Sequence, residues 1–169
     1  VQNHLRPPRT TQPPAAAPAP APSGAAPAPS SAPAPAGIVP AAFPQGLDLC
    51  PRMKIENAPP VDAQLRVTKY APVVDVKGVR LATFPSRGAC LSSGFGKRGA
   101  RLHKGLDYHA ETGAPILAAA DGSIVEMKYR DDYGNMLVID HGGGVYTRYA
   151  HLASFGKGLS PGVTVTAGD

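Results

Sequence analysis

Long apolar runs, helical periodicity and acidic side chains are what this sequence lacks. No stretch of its 169 residues approaches the roughly 18 consecutive apolar side chains of a membrane-crossing helix, so no such span is expected within it. No segment repeats apolar residues at the three-to-four spacing of an amphipathic helix, which excludes a helical bundle and a recognition helix. Acidic residues number 12 against 17 Lys and Arg, with a pI near 9.4. Between Asp75 and Asp107 there are none, while Lys77, Arg80, Arg87, Lys97, Arg98, Arg101 and Lys104 are all present. Such a balance suits anionic partners. No zinc-finger spacing or RNP-like aromatic pattern accompanies it, so nucleic acid is not an expected partner. No export signal is visible, but the chain opens on Val1 rather than Met, so that absence excludes nothing. Only two cysteines occur, Cys50 and Cys90. An even count is expected to form one disulfide, as in exported proteins, and the loop it closes would contribute about 3–4 kcal/mol.

Proline and glycine are abundant instead, 20 and 19 residues, and they are unevenly spread. Thirteen prolines fall in the first 44 residues, and only Arg6 and Arg9 are charged before Asp48. Residues 1–46, with runs such as Pro33-Ala34-Pro35-Ala36-Gly37, cannot bury enough apolar surface to offset their ordering entropy. They read as a disordered Pro/Ala-rich linker that favours polyproline II; about 40 such residues would reach roughly 120 Å. Residues 47–90 read as a small β-rich extension. Val73–Val76 and Val79–Leu81 flank a Lys77-Gly78 turn, and Arg66–Thr68 is a further short strand.

Residues 91–169 form the third segment. Six glycines and serines break any period over 91–106, which reads as loop. After it, strands are expected at 115–119, 123–129, 136–139 and 145–149, separated by Asp121-Gly122, Asp131–Gly134 and His141–Gly144 turns, with another opening at Val163. Strands of four to seven residues at intervals of about ten predict an all-β fold, a small antiparallel sandwich or barrel-like domain. A sheet edge is expected near 163–169.

Four of the five histidines lie in this β-rich part. His103-Lys-Gly-Leu-Asp107 places an imidazole and a carboxylate four residues apart around Gly105, and both could reach one Zn²⁺. Spacing alone is a weak signal: five His and nine Asp would give about 0.3 such pairs by chance. His151, in Tyr149-Ala-His-Leu152, falls at a strand end, where a neutral imidazole could act as a base or stabilise an oxyanion. For a lone histidine, however, a half-buried structural role is the commoner one. His4 lies in the linker, His109 is two residues past Asp107, and His141 reads as a turn residue.

A series of motifs adds to this. Ser92-Ser-Gly-Phe-Gly-Lys-Arg98 precedes His103-Lys-Gly-Leu-Asp107. Then come Gly113-Ala-Pro-Ile-Leu-Ala-Ala-Ala-Asp-Gly122, Tyr133-Gly-Asn-Met-Leu-Val-Ile-Asp-His-Gly142 and Tyr146-Thr-Arg-Tyr-Ala-His-Leu152. In this order they closely resemble the lysostaphin/LytM-type zinc metallopeptidase domain over residues 91–169. The resemblance implies Zn²⁺ as cofactor, His103 and Asp107 as its first two ligands, His151 as a catalytic histidine, and peptide cross-links of bacterial peptidoglycan as substrate. It also implies a periplasmic or cell-envelope location, which the presumed disulfide suits, with a membrane tether outside this chain. The family's third ligand belongs to a later His-x-His motif, and no histidine follows His151. The chain is therefore expected to be a truncated domain with little activity of its own. One alternative is a non-catalytic LytM-type domain that binds cell wall or activates an amidase; retention of His103, Asp107 and His151 argues against it. Another is a biotinyl or lipoyl carrier, whose lysine would need a hairpin tip, whereas Lys128 lies within an expected strand.

Overall fold

The computed structural model describes residues 43–169. The linker expected over 1–46 falls almost wholly outside the described residues. Among the described residues there is no helix, and none long and apolar enough to cross a membrane. Ten strands make up the fold: β1 (Val73–Val76), β2 (Val79–Ala82), β3 (Cys90–Ser93), β4 (Gly96–Arg98), β5 (Arg101–His103), β6 (Asp107–His109), β7 (Gly122–Arg130), β8 (Gly134–Asp140), β9 (Tyr146–Leu152) and β10 (Thr164–Val165). The largest sheet is antiparallel, in the order β10-β7-β8-β9, and three two-stranded pairs, β1-β2, β3-β6 and β4-β5, complete the fold. The expected all-β antiparallel class is what the chain adopts.

The β1–β2 hairpin follows from its turn. Lys77 and Gly78 sit at φ 52° and 82°, the left-handed pair of a two-residue turn whose twist matches its strands. Gly78 N–H donates to Asp75 Oδ1 at 2.9 Å, closing it.

Three apolar clusters form the interior. Ile124, Leu137, Ile139 and Val165 of the large sheet pack together with Ala118. Leu47, Leu49, Val67, Phe84 and Leu91 form a second cluster, and Phe43, Ala82, Leu117 and Ala119 a third. Residues 47–57 touch β3 at two isolated parallel bridges on either side of a turn at 51–53. Leu49 bridges Leu91 and Glu56 bridges Ser93, with Leu91 N–H donating to Asp48 O (2.9 Å) and Cys50 N–H to Leu91 O (3.0 Å). The Cys50–Cys90 disulfide ties the same two segments, as the cysteine count led us to expect.

Three expectations are corrected. Residues 91–106 are not loop: the glycines mark the turns between β3, β4 and β5 rather than an absence of strands, Gly99 at φ 54° closing the β4–β5 hairpin. Residues 115–119 are buried and extended but form no strand of their own. Their bonds go to several partners, Leu117 N–H to Pro85 O, Ala119 O from Ala82 N–H and Ala118 N–H to Asp169 O, and prolines at 85 and 115 remove the donors a regular ladder would use. Arg66–Thr68 likewise makes only the isolated bridges Asp48–Arg66 and Val61–Val67.

Candidate metal and catalytic site

Two small strand pairs place the first candidate residues. His103 ends β5, opposite Gly96 of β4. Asp107 opens β6, opposite Ser93 of β3, where the register shifts past Ser92. The connection Lys104-Gly-Leu106 folds the two side chains together, so that His103 Nε2 stands 3.1 Å from Asp107 Oδ1. Gly105 is not needed there for its backbone freedom. A Cβ on it would meet only His103 Nε2, at 3.9 Å, so its lack of side chain leaves the approach to that nitrogen open.

Hydrogen bonding assigns the imidazole tautomer. His103 Nδ1 lies 2.8 Å from Gly94 O and 2.8 Å from Arg98 Nη2. Arg98 Nη2 has two hydrogens, and they are met by Asp107 Oδ2 at 2.7 Å and by Ser93 Oγ. It has none left for His103, so Nδ1–H donates to Gly94 O. Nε2 faces the carboxylate oxygen Oδ1 at 3.1 Å. That contact is closed by a proton on Nε2, as in a His–Asp ion pair, or by a metal ion that takes one lone pair from each atom. Two ligands at about 2.0–2.2 Å on one tetrahedral zinc stand roughly 3.4 Å apart, within a small side-chain rotation of this arrangement. The nitrogen–oxygen donor set therefore fits a zinc ion as half of a site. Among the described residues no group of three or more His, Cys, Asp or Glu side chains converges.

His151 is held by a different device. Opposite Met136, β9 carries one extra residue, because Asn135 pairs with Leu152 while Leu137 pairs with Tyr149. This bulge puts His151 at φ 55°, a left-handed conformation that costs a non-glycine residue about 1–2 kcal/mol. The β7–β8 turn holds it there: His151 N–H donates to Tyr133 O at 2.8 Å, and Asn135 Nδ2 donates to Leu152 O and Ala153 O at 3.1 and 3.3 Å. The imidazole is exposed. Strain of this kind, maintained by its surroundings, is characteristic of functional positions.

One groove of about 1430 Å³ joins these elements. His103, Asp107, Arg98, Leu106, Tyr133 and His151 are among its walls. Lys97, Arg101 and Lys104 are exposed on and after the β4–β5 hairpin, and Lys104 lines the groove beside His103.

The other histidines stand apart. His109 ends β6 opposite Cys90 and is exposed. His141 is more than a turn residue. Its Nδ1 lies 2.7 Å from Asp121 O and its Nε2 2.7 Å from Thr147 Oγ1, which lies 3.0 Å from Tyr149 OH. Tyr149 OH also accepts Ala119 N–H at 2.8 Å. Thr147 Oγ1–H donates to Tyr149 OH, and the two ring nitrogens of His141 bridge Thr147 Oγ1 and Asp121 O. This chain locks two turns and the 115–119 segment onto β9. Burial pushes the Tyr149 phenol up, against the opposing hydrogen bonds from Thr147 and Ala119.

Comparison with known proteins bears on this site directly. Residues 101–169 match the family model of Peptidase family M23. A stretch of 57 residues is 47% identical to the DD-carboxypeptidase/endopeptidase Mpg of Neisseria meningitidis serogroup B, covering 34% of this chain and 13% of that protein. The peptidoglycan DD-endopeptidase ShyC of Vibrio cholerae is 40% identical over 52 residues, 31% of this chain and 12% of the relative. The cell division protein DipM of Caulobacter vibrioides is 38% identical over 73 residues, 42% and 12% of the two chains. The matched stretch thus spans about an eighth of the length of these relatives. No solved structure matches the chain.

Proposed function

We propose that this chain, whose residues 101–169 match the model of Peptidase family M23, is part of a zinc-dependent endopeptidase of that family that cleaves peptide cross-links of bacterial peptidoglycan in the periplasm or cell envelope. The observation that carries this reading is the convergence of His103 Nε2 and Asp107 Oδ1, 3.1 Å apart in a groove that His151 also lines. Relatives named as peptidoglycan DD-endopeptidases supply the substrate class, and a relative named as a metalloprotease supports a metal.

In this mechanism His103, through Nε2, and Asp107, through Oδ1, would hold the zinc. When bound, the ion supplies Lewis acidity, polarising a carbonyl and making water acidic near neutral pH. His103 is fixed in the required tautomer by Gly94 O, as metal-ligating histidines generally are by a partner on the other ring nitrogen. His151, held out from β9 at the other wall, takes the proton of the attacking water or donates to the oxyanion of the tetrahedral intermediate. The exposed Lys97, Arg101 and Lys104 draw in the free carboxylates of stem peptides. With two converging donors among the described residues, the 169-residue chain alone binds zinc weakly and turns over little, since catalytic zinc sites take three protein ligands.

The test is digestion of purified peptidoglycan by the natural polypeptide containing this chain, read by mass spectrometry of the released muropeptides. Loss of cross-linked dimers, abolished by chelator or by His103→Ala and restored to the unsubstituted protein by zinc, is expected. Unchanged cross-linking, with binding to the wall retained, would instead favour the non-catalytic cell-wall module.

A further inference from the structure

Resting on the metal-site reading above, we infer that Arg98 is the positioning residue of the His103–Asp107 pair, and that Glu56, supplied by the segment before β1, holds Arg98 in place. Neither residue lies within the matched stretch 101–169, so part of the site is built from outside it.

Asp107 needs such a residue. Its carboxylate is half exposed and free to swing into water. Arg98 takes Oδ2 at 2.7 Å, which turns Oδ1 toward His103 Nε2. The same Nη2 donates to Ser93 Oγ, so the guanidinium is anchored to β3 while it orients β6. That Nη2 also lies 2.8 Å from His103 Nδ1, so Arg98 touches both members of the pair. One cation thus contacts both candidate ligands through the atoms that do not face each other, Asp107 Oδ2 and His103 Nδ1.

Arg98 is itself held. Its Nε is buried and makes no hydrogen bond, and the nearest counter-charge is Glu56 Oε2 at 3.4 Å. Glu56 is not a passing surface carboxylate, because its backbone is stitched to β3. Glu56 O accepts Gly94 N–H at 2.9 Å and Ser93 Oγ–H at 3.3 Å. Beside it, the Asn57 carbonyl lies so close to Gly94 that no Cβ could fit between them. The order of support therefore runs from Glu56 to Arg98 to Asp107 and His103, across β3, β4, β5 and β6. An isolated surface ion pair contributes little. Here the pair matters through the geometry it imposes on donors further in, and loss of such outer partners typically lowers metal affinity by roughly 10–100-fold.

The experiment is zinc affinity by chelator competition on the natural polypeptide, with thermal melting run beside it. Arg98→Ala is expected to weaken zinc binding by roughly 10–100-fold. Arg98→Lys is expected not to restore it, because a single ammonium cannot span Glu56, Ser93 and Asp107. Glu56→Gln should give a smaller loss, and adding it to Arg98→Ala should lower affinity no further, since Glu56 acts through Arg98. A purely structural role would lower the melting temperature and leave zinc affinity unchanged. If His103→Ala abolishes zinc binding while Arg98→Ala and Glu56→Gln bind like the unsubstituted protein, the inference is overturned and the metal site stands. If His103→Ala binds zinc normally, the metal-site reading itself fails. Should Arg98→Ala not fold, the exposed Glu56 carboxylate decides the matter, with unchanged affinity in Glu56→Gln overturning the proposal.

Discussion

Removing the disulfide should cost stability without abolishing the fold. Cys50 and Cys90 are 40 residues apart in the chain. In the chain-entropy account, a loop of that length removes about 4 kcal/mol of conformational entropy from the unfolded state at 25 °C. The segments it joins are also held by the Leu47, Leu49, Val67, Phe84 and Leu91 cluster and by the Asp48–Leu91 and Cys50–Leu91 backbone bonds. A Cys50→Ser, Cys90→Ser double variant should therefore remain folded but less stable. With a urea dependence of about 2 kcal/mol per molar, the unfolding midpoint should fall by roughly 2 M. Far-UV circular dichroism is the suitable probe, because the chain has no tryptophan. The loss should extend to the site, since Cys90 opens β3 and Asp107 lies opposite Ser93 on that strand. A midpoint unchanged to within a few tenths of a molar would refute the reasoning, for it would mean that residues 47–90 are equally constrained without the bond.

Three further outcomes follow from the same structure. His151→Gly should leave stability within about 1 kcal/mol of the original, since glycine accepts the left-handed backbone freely, yet lower peptidoglycan hydrolysis by the natural polypeptide by about 100-fold or more; melting and muropeptide release measured together check both halves. Gly94→Ala should destabilise by about 1–3 kcal/mol and weaken zinc binding, because the new methyl group is driven into the Asn57 carbonyl and pushes Glu56 away from Arg98; melting and chelator competition read the two effects. Stability should fall in alkali. Burial, with Tyr70 nearby, pushes the Tyr108 phenol well above its ordinary value, and burial also raises Tyr149. The unfolded chain then loses protons first, from about pH 10, and each pH unit beyond that costs up to about 1.4 kcal/mol per phenol, to be read as melting temperature against pH.

How far the sequence foretold this molecule depended on the range of the forces involved. From Gly122 onward, alternation and turn chemistry are local, and β7, β8 and β9 fall where period and turn residues place them. Lys77-Gly78 was equally legible, because a two-residue turn is its own signal. The Gly-dense run over 91–106 was misread because its strands are three or four residues long, too short for a period to show. The pairing of residues 47–57 with β3, and so the Glu56–Arg98 contact, joins positions 42 apart with nothing in the local pattern to mark it. His103 and Asp107 were visible as a spacing, but Arg98 could be counted only as one cation in a basic run. The strained backbone of His151 had no sequence signature at all, since it arises from a bulge that one extra residue in β9 creates against β8.

The central claim is that His103 and Asp107 share a zinc ion. The most direct measurement is anomalous scattering at the zinc edge from crystals of the natural polypeptide grown with zinc. The account predicts a peak about 2.0–2.2 Å from both His103 Nε2 and Asp107 Oδ1, with Arg98 still on Oδ2. A peak elsewhere with none between these two atoms, or an Arg98 guanidinium displaced while the two donors keep their places, would contradict it.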